Sequence, residues 1–183
     1  MALREILFYP EYADVLTTEC DPIEEVDEEI RQLVDDLAET MYDAPGIGLA
    51  APQVGVTKRA TVIDASDPEQ PGGELHVLIN PEIVEREGSI TWEEGCLSFP
   101  GLYGEVSRSE WVKVEATNRD GERYEIEGEG LLAVALQHEI DHLDGVLFLD
   151  RMSALKRRMA RKDYKKIRAK MDREAEQEEE SPA

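Results

Sequence analysis

The chain has 183 residues and a formal net charge of −22, with 42 acidic side chains against 20 basic ones and 41% apolar content. That length suits one domain with a substantial core, while no apolar run reaches the roughly 20 residues of a membrane-spanning helix. Two cysteines make no disulfide framework, and Met1-Ala2-Leu3-Arg4-Glu5 lacks a charged-then-apolar leader, so a reducing, cytoplasmic setting is expected.

The first predicted element is an amphipathic helix over about residues 24–43. Ile30, Leu33, Val34, Leu37 and Met41 recur at helical spacing, and Ala44-Pro45-Gly46 ends the pattern. Gly46-Ile47-Gly48 then reads as a tight loop. It is no dinucleotide fingerprint, because Leu49-Ala50-Ala51-Pro52 follows where a third glycine is needed. Strands are predicted at 60–64, 75–80, 82–86 and 111–117, with Asp67 to Gly73 a surface loop. Glu93-Glu94-Gly95-Cys96-Leu97-Ser98-Phe99-Pro100-Gly101 has a glycine on one side and a proline-glycine pair on the other, the composition of a fixed, irregular loop. Asn118-Arg119-Asp120-Gly121 is a turn into a return strand over 122–127. A buried helix follows: Leu131, Leu132, Val134, Ala135, Leu136 and Ile140 lie between Gly130 and Gly145 with no interior breaker. The expected fold class is α+β, with antiparallel strands packed around this central helix, an N-terminal amphipathic helix and a C-terminal helix.

The central helix carries the chemistry. In Gln137-His138-Glu139-Ile140-Asp141-His142 two imidazoles stand one turn apart with a carboxylate beside the first. Residues four apart share a helix face, so both can reach one metal ion, and Glu139 can serve as base to a reactive water. Two buried, hydrogen-bonded core histidines are the bland alternative. The long zinc-peptidase signature requires a third histidine where Phe148 stands, and phenylalanine ligates nothing. Three soft or borderline donors remain: His76, Cys20 and Cys96. His76 lies within a predicted strand, and Cys20 sits in the acidic stretch Glu19-Cys20-Asp21, which disfavours a thiolate. Cys96 is the preferred third ligand.

Three segments together resemble the bacterial peptide deformylase family: Gly46-Ile47-Gly48-Leu49-Ala50-Ala51-Pro52-Gln53, Glu94-Gly95-Cys96-Leu97-Ser98 and Gln137-His138-Glu139-Ile140-Asp141-His142, in the family's order. The resemblance implies a hydrolase that removes the formyl group from the N-terminal N-formylmethionine of newly synthesised bacterial proteins. It implies metal ligation by Cys96, His138 and His142, with Glu139 as acid and base. Gln53 and the Leu97 N–H would bind the oxyanion, and Gly48 the substrate backbone. Ile47, Glu94, Leu131, Val134 and Ala135 would border the methionine pocket, with Gly95 also among the substrate-binding positions. One divalent ion per chain is implied, ferrous iron in the cell, with zinc, nickel or cobalt as alternatives. The opening Pro10-Glu11-Tyr12-Ala13-Asp14 departs from the family pattern, and Tyr103 stands where some members place an arginine near the substrate.

Charge divides the chain. Residues 1–150 carry 9 basic and 35 acidic side chains, whereas residues 151–183 carry 11 and 7. We therefore expect a catalytic domain over 1–152 and a basic helical extension over 153–183 that frays in its acidic tail from Glu174. The Lys156–Lys170 segment holds nine basic residues opposed only by Asp163. Either it lies on the acidic body through Leu155, Met159, Ile167 and Met171, or it contacts ribosomal RNA, which the resemblance favours. No membrane association is expected, and a monomer is the default. A zinc peptidase, and a noncatalytic ribosome-associated protein with a structural metal, are the rival readings.

Overall fold

A computed structural model describes residues 2–66 and 73–180. The chain forms a short helix α1 (Ala13–Leu16), then α2 (Glu28–Asp43), strand β1 (Gly48–Ala50), a 3-10 turn (Ala51–Val54) and β2 (Ala60–Ile63). Strands β3 (His76–Glu87), β4 (Ile90–Cys96), β5 (Phe99–Arg108), β6 (Trp111–Thr117) and β7 (Arg123–Glu129) follow, then α3 (Leu131–Leu143), a 3-10 turn (Phe148–Arg151) and α4 (Ala154–Glu180). Strands β1-β2-β3-β6-β7 make one antiparallel sheet, in that order, and β4-β5 a separate hairpin. The fold is thus α+β, as expected. Of the surface loop predicted from Asp67 to Gly73, residues 67–72 lie outside the described residues.

Each element has a local cause. Asp27 accepts the Ile30 N–H at 2.9 Å, so the cap starts α2 at Glu28 rather than near residue 24. Ile30, Leu33, Val34, Leu37 and Met41 bury its apolar face against β1 and β2. The two strands expected at 75–80 and 82–86 are one strand with a register shift between Ile79 and Glu82. Pro81, which has no N–H for the ladder, falls within that irregularity. Asn80 beside it, at φ 49°, grips the Ile23 amide and carbonyl at 2.8 and 2.7 Å.

The irregular loop expected at 93–101 is instead part of the β4-β5 hairpin, whose two-residue turn is Leu97-Ser98. Glycine misled that reading. Gly95 sits inside a strand because a Cβ there would lie 2.7 Å from the Tyr103 ring across the ladder.

Helix α3 packs on β1, β2, β6 and β7 at the centre of the molecule, and eleven of its thirteen residues are buried. Gly130 (φ 59°) and Gly145 (φ 71°) bound it in backbone conformations that side chains rarely adopt. Helix α4 leans on β5. Its contact face is Ala160, Tyr164, Ile167 and Arg168; Leu155 and Met159, expected to touch the body, are 58% and 56% exposed. The tail expected to fray from Glu174 continues α4 to Glu180, consistent with its strong helix formers and a Lys170–Glu174 pair one turn apart.

Candidate metal centre

Helix α3 delivers His138 and His142 on one face, and the hairpin turn brings Cys96 to meet them. The two Nε2 atoms are 3.1 Å apart, and the Cys96 Sγ lies 3.4 Å from His142 Nε2. Donors bound at roughly 2.0–2.3 Å around a near-tetrahedral transition-metal ion, at angles of about 100–110°, stand about 3.1–3.7 Å from each other, so this trio fits one. Among the described residues no fourth His, Cys, Asp or Glu joins the group. Cys20 and His76 stand elsewhere; burial pushes the Cys20 thiol up to about 11. Phe148 is no ligand but an apolar wall, its ring 5.9 Å from that of His138.

Around the donors lies a buried ionic chain that the sequence reading missed. His138 Nδ1 meets Glu94 Oε1 at 2.8 Å. An ionised carboxylate only accepts, so Nδ1 carries a proton and Nε2 is the nitrogen turned toward the other donors. Arg108 holds both Glu94 oxygens, at 2.6 and 2.9 Å, and reaches Asp141 at 2.9 Å. Arg151 closes the chain with two bonds to Asp141. Burial opposes charge at Glu94, but the bonds from His138 and Arg108 outweigh it and hold the carboxyl below its usual range. Burial also works against a charged His138, yet Cys96 and Glu94 overcome it and lift the imidazole to about 10. Surroundings that favour a proton this strongly also favour a metal cation. Burial and the neighbouring His138 charge keep His142 well below its usual value, so it is a neutral donor. The one available sequence signal was scarcity: Ser107-Arg108-Ser109 holds one of nine basic residues in the first 150.

Glu94 lines the cavity, and both its oxygens are held by Arg108 and His138, so it also orients the His138 ring.

Glu139 is buried beside the donors, and burial raises its carboxyl to about 7, although His138, Thr61 and Arg108 pull the other way. That value suits a group that takes and returns a proton near neutrality. Gly48 makes room for it, since a Cβ there would lie 2.5 Å from Glu139 Oε1. Gln53 is fixed by accepting the Ala50 N–H at 3.0 Å and donating to Ser98 Oγ at 3.1 Å, which aims its Nε2 toward the Cys96 sulfur, 3.5 Å away. A cavity of about 840 Å³ opens over these groups. Its lining gathers Ile47, Gly48, Gln53, Glu94, Gly95, Cys96, Leu97, Leu131, Val134, Ala135, His138 and Glu139, with His142 behind them at 1% exposure. Tyr103, 67% exposed, stands at its rim on β5.

The polypeptide deformylase family profile matches residues 3–158. The chain belongs to the polypeptide deformylase family. Peptide deformylase of Acidobacterium capsulatum is 54% identical over 91% of this chain and 96% of its own length. That of Neisseria gonorrhoeae is 51% identical over 91% and 96%. Among solved structures, a Legionella pneumophila deformylase superposes with a TM-score of 0.86 at 48% identity, covering 94% of this chain and 99% of that one. An Ehrlichia chaffeensis deformylase in complex with actinonin gives 0.82 at 39% identity, covering 91% and 98%. Deformylases are metal-dependent hydrolases that remove the N-terminal formyl group from nascent peptides, and this chain is one of them.

Proposed function

We propose that Cys96, His138 and His142 hold one divalent ion, ferrous in the cell, and that Glu139 is the acid and base of deformylation. The convergence of one sulfur and two imidazole nitrogens on the floor of a cavity, with a buried carboxylate alongside, carries this reading. When bound, the ion supplies Lewis acidity that makes water a nucleophile at neutral pH. Glu139 accepts the proton of the attacking water and later delivers it to the departing methionine amine, releasing formate. Gln53 Nε2 and the Leu97 N–H stabilise the negative charge that builds on the formyl oxygen. Leu131, Val134, Ala135 and Ile47 supply the apolar wall for the methionine side chain, and Gly48 and Gly95 let the substrate backbone come close.

Comparing hydrolysis of a formyl-Met peptide with its acetylated counterpart tests this reading: only the formyl peptide should turn over, and equal rates would defeat it. Anaerobic purification followed by metal analysis tests for iron; zinc, nickel or cobalt in its place would reassign the ion.

Three further points belong to the same proposal. One chain forms the whole cavity, so the working unit is a monomer. No helix among the described residues is long and apolar enough to cross a membrane, and both cysteines are free, which supports a bacterial cytoplasmic location. Residues 1–152 form the catalytic domain, and within the 153–183 extension the basic Lys156–Lys170 segment contacts ribosomal RNA. Arg158, Arg161, Lys162 and Lys165 are all exposed on α4. Replacing these four by Gln should weaken ribosome affinity and flatten its salt dependence, and unchanged affinity would retire the contact.

A further inference from the structure

The N-terminal segment that walls the cavity has no helix or strand of its own between Ala2 and Phe8, so side chains from elsewhere must hold it. Two of those come from α4. The Tyr164 hydroxyl donates to the Tyr9 carbonyl, and Arg168 donates to the same oxygen at 3.1 Å. Arg168 also bonds the Glu11 carboxylate, and its guanidinium lies 5.6 Å above the Phe8 ring. Phe8, Glu11 and Arg168 all line the catalytic cavity. The tie continues inward. Tyr9 donates its N–H to the Ser98 carbonyl at 2.9 Å, and its ring stacks at 4.9 Å on Phe99, the cross-strand partner of Cys96. Tyr164 packs on the same Phe99 at 5.1 Å. Tyr164 is 4% exposed, so water does not compete for these contacts. Both α4 residues lie beyond residue 158, where the family match ends.

We propose that Tyr164 and Arg168 are positioning residues for deformylation: α4 completes the peptide-binding wall by fixing the Phe8–Glu11 segment against the Cys96 hairpin. The inference rests on reading the cavity as the formyl-peptide site. It places the effect in substrate binding, because the polar groups of Tyr164 and Arg168 bond Tyr9, Glu11 and each other, and none bonds a metal donor or Glu139.

The test measures KM and kcat of the full chain, loaded with metal, on a formyl-Met tripeptide at 25 °C. Wild type must first turn this substrate over; failure there would sink the functional reading, not this one. Arg168→Ala should raise KM about tenfold and Tyr164→Phe, which keeps the ring, about threefold, with kcat within twofold. Arg168→Lys should restore part of the loss, and Arg173→Ala on the exposed face should change neither constant. A purely structural helix would lower the melting temperature of these variants and leave KM at its wild-type value. That result, or a fall in kcat at constant KM, overturns the proposal. If Arg168→Ala does not fold, the Tyr164→Phe measurement decides alone.

Discussion

Helices α3 and α4 both carry ionisable side chains at helical spacing, yet they treat them in opposite ways. Eleven of thirteen residues are buried in α3, and two of twenty-seven in α4. Around α3, Glu94 of β4 is held by Arg108 and His138, and Asp141 by Arg108 and Arg151. Outside, the charges of α4 lie mostly in water, and pairs such as Lys156–Glu105 are about half exposed at both ends. The same chemistry should therefore be specific and expensive to disturb in one helix and nearly free to change in the other. Single substitutions can break or sharpen that contrast.

The largest effect belongs to Glu139. Glu139→Gln preserves shape but removes the proposed proton carrier, so kcat should fall on the order of 1000-fold while metal content stays at wild-type level. Retained turnover would remove Glu139 from the mechanism. Next comes Arg108, only 4% of whose side chain is exposed. Arg108→Met leaves Glu94 and Asp141 buried with too few partners, and denaturant unfolding should show about 3–5 kcal/mol of lost stability. A loss under about 1 kcal/mol would mean the interior tolerates charge as the surface does.

How much of this was legible in the sequence follows the same divide. The donors could be read because helix periodicity fixes which side chains share a face, and because few other soft donors exist in the chain. Arg108 was not legible, because it comes from the second strand of a hairpin whose glycines resembled a loop. In α4 the apolar residues Leu155 and Met159 suggested a contact face that the structure leaves in solvent. The face that docks is Ala160, Tyr164, Ile167 and Arg168, spaced as one stripe, two of whose members end in polar groups. Tyr and Arg bury their stems while bonding through their tips, a use that a purely apolar pattern overlooks.

Gly48→Ala separates shape from charge at the centre. The added methyl would strike the Glu139 side chain from Cγ to Oε1 rather than backbone, so the fold should survive while the carboxylate shifts. Activity should drop on the order of 100-fold with little change in melting temperature. Activity near that of wild type would show that Glu139 has slack the packing does not suggest.

A smaller effect is expected at Asp36, a buried carboxylate on α2. Burial raises its carboxyl, but bonds from Gln32, the Ala2 amide and Arg4 together hold it below its ordinary 3.8. The folded value lies below the unfolded one, so the ionised carboxylate contributes its full stability above about pH 5, and that contribution is lost as pH falls through the folded value. Wild type should exceed Asp36→Asn by about 1–2 kcal/mol at pH 7, and the gap should close below 3.8. A gap that persists in acid would assign the effect to shape rather than charge.

The smallest effect is expected at Lys156. Its ammonium sits 2.9 Å from Glu105, a shorter approach than either of the two ion pairs made by Lys113. Distance alone would therefore rank it as strong. Water on both partners argues otherwise, because a high dielectric weakens the attraction and ordering two long side chains offsets much of what remains. Lys156→Ala should change unfolding free energy by less than about 0.5 kcal/mol, and the difference should vanish in 1 M salt, where the screening length is about 3 Å. A salt-insensitive loss of 1 kcal/mol or more would place Lys156 with Arg108 as a structural charge, and the contrast between the two helices would then rest on partner geometry rather than burial.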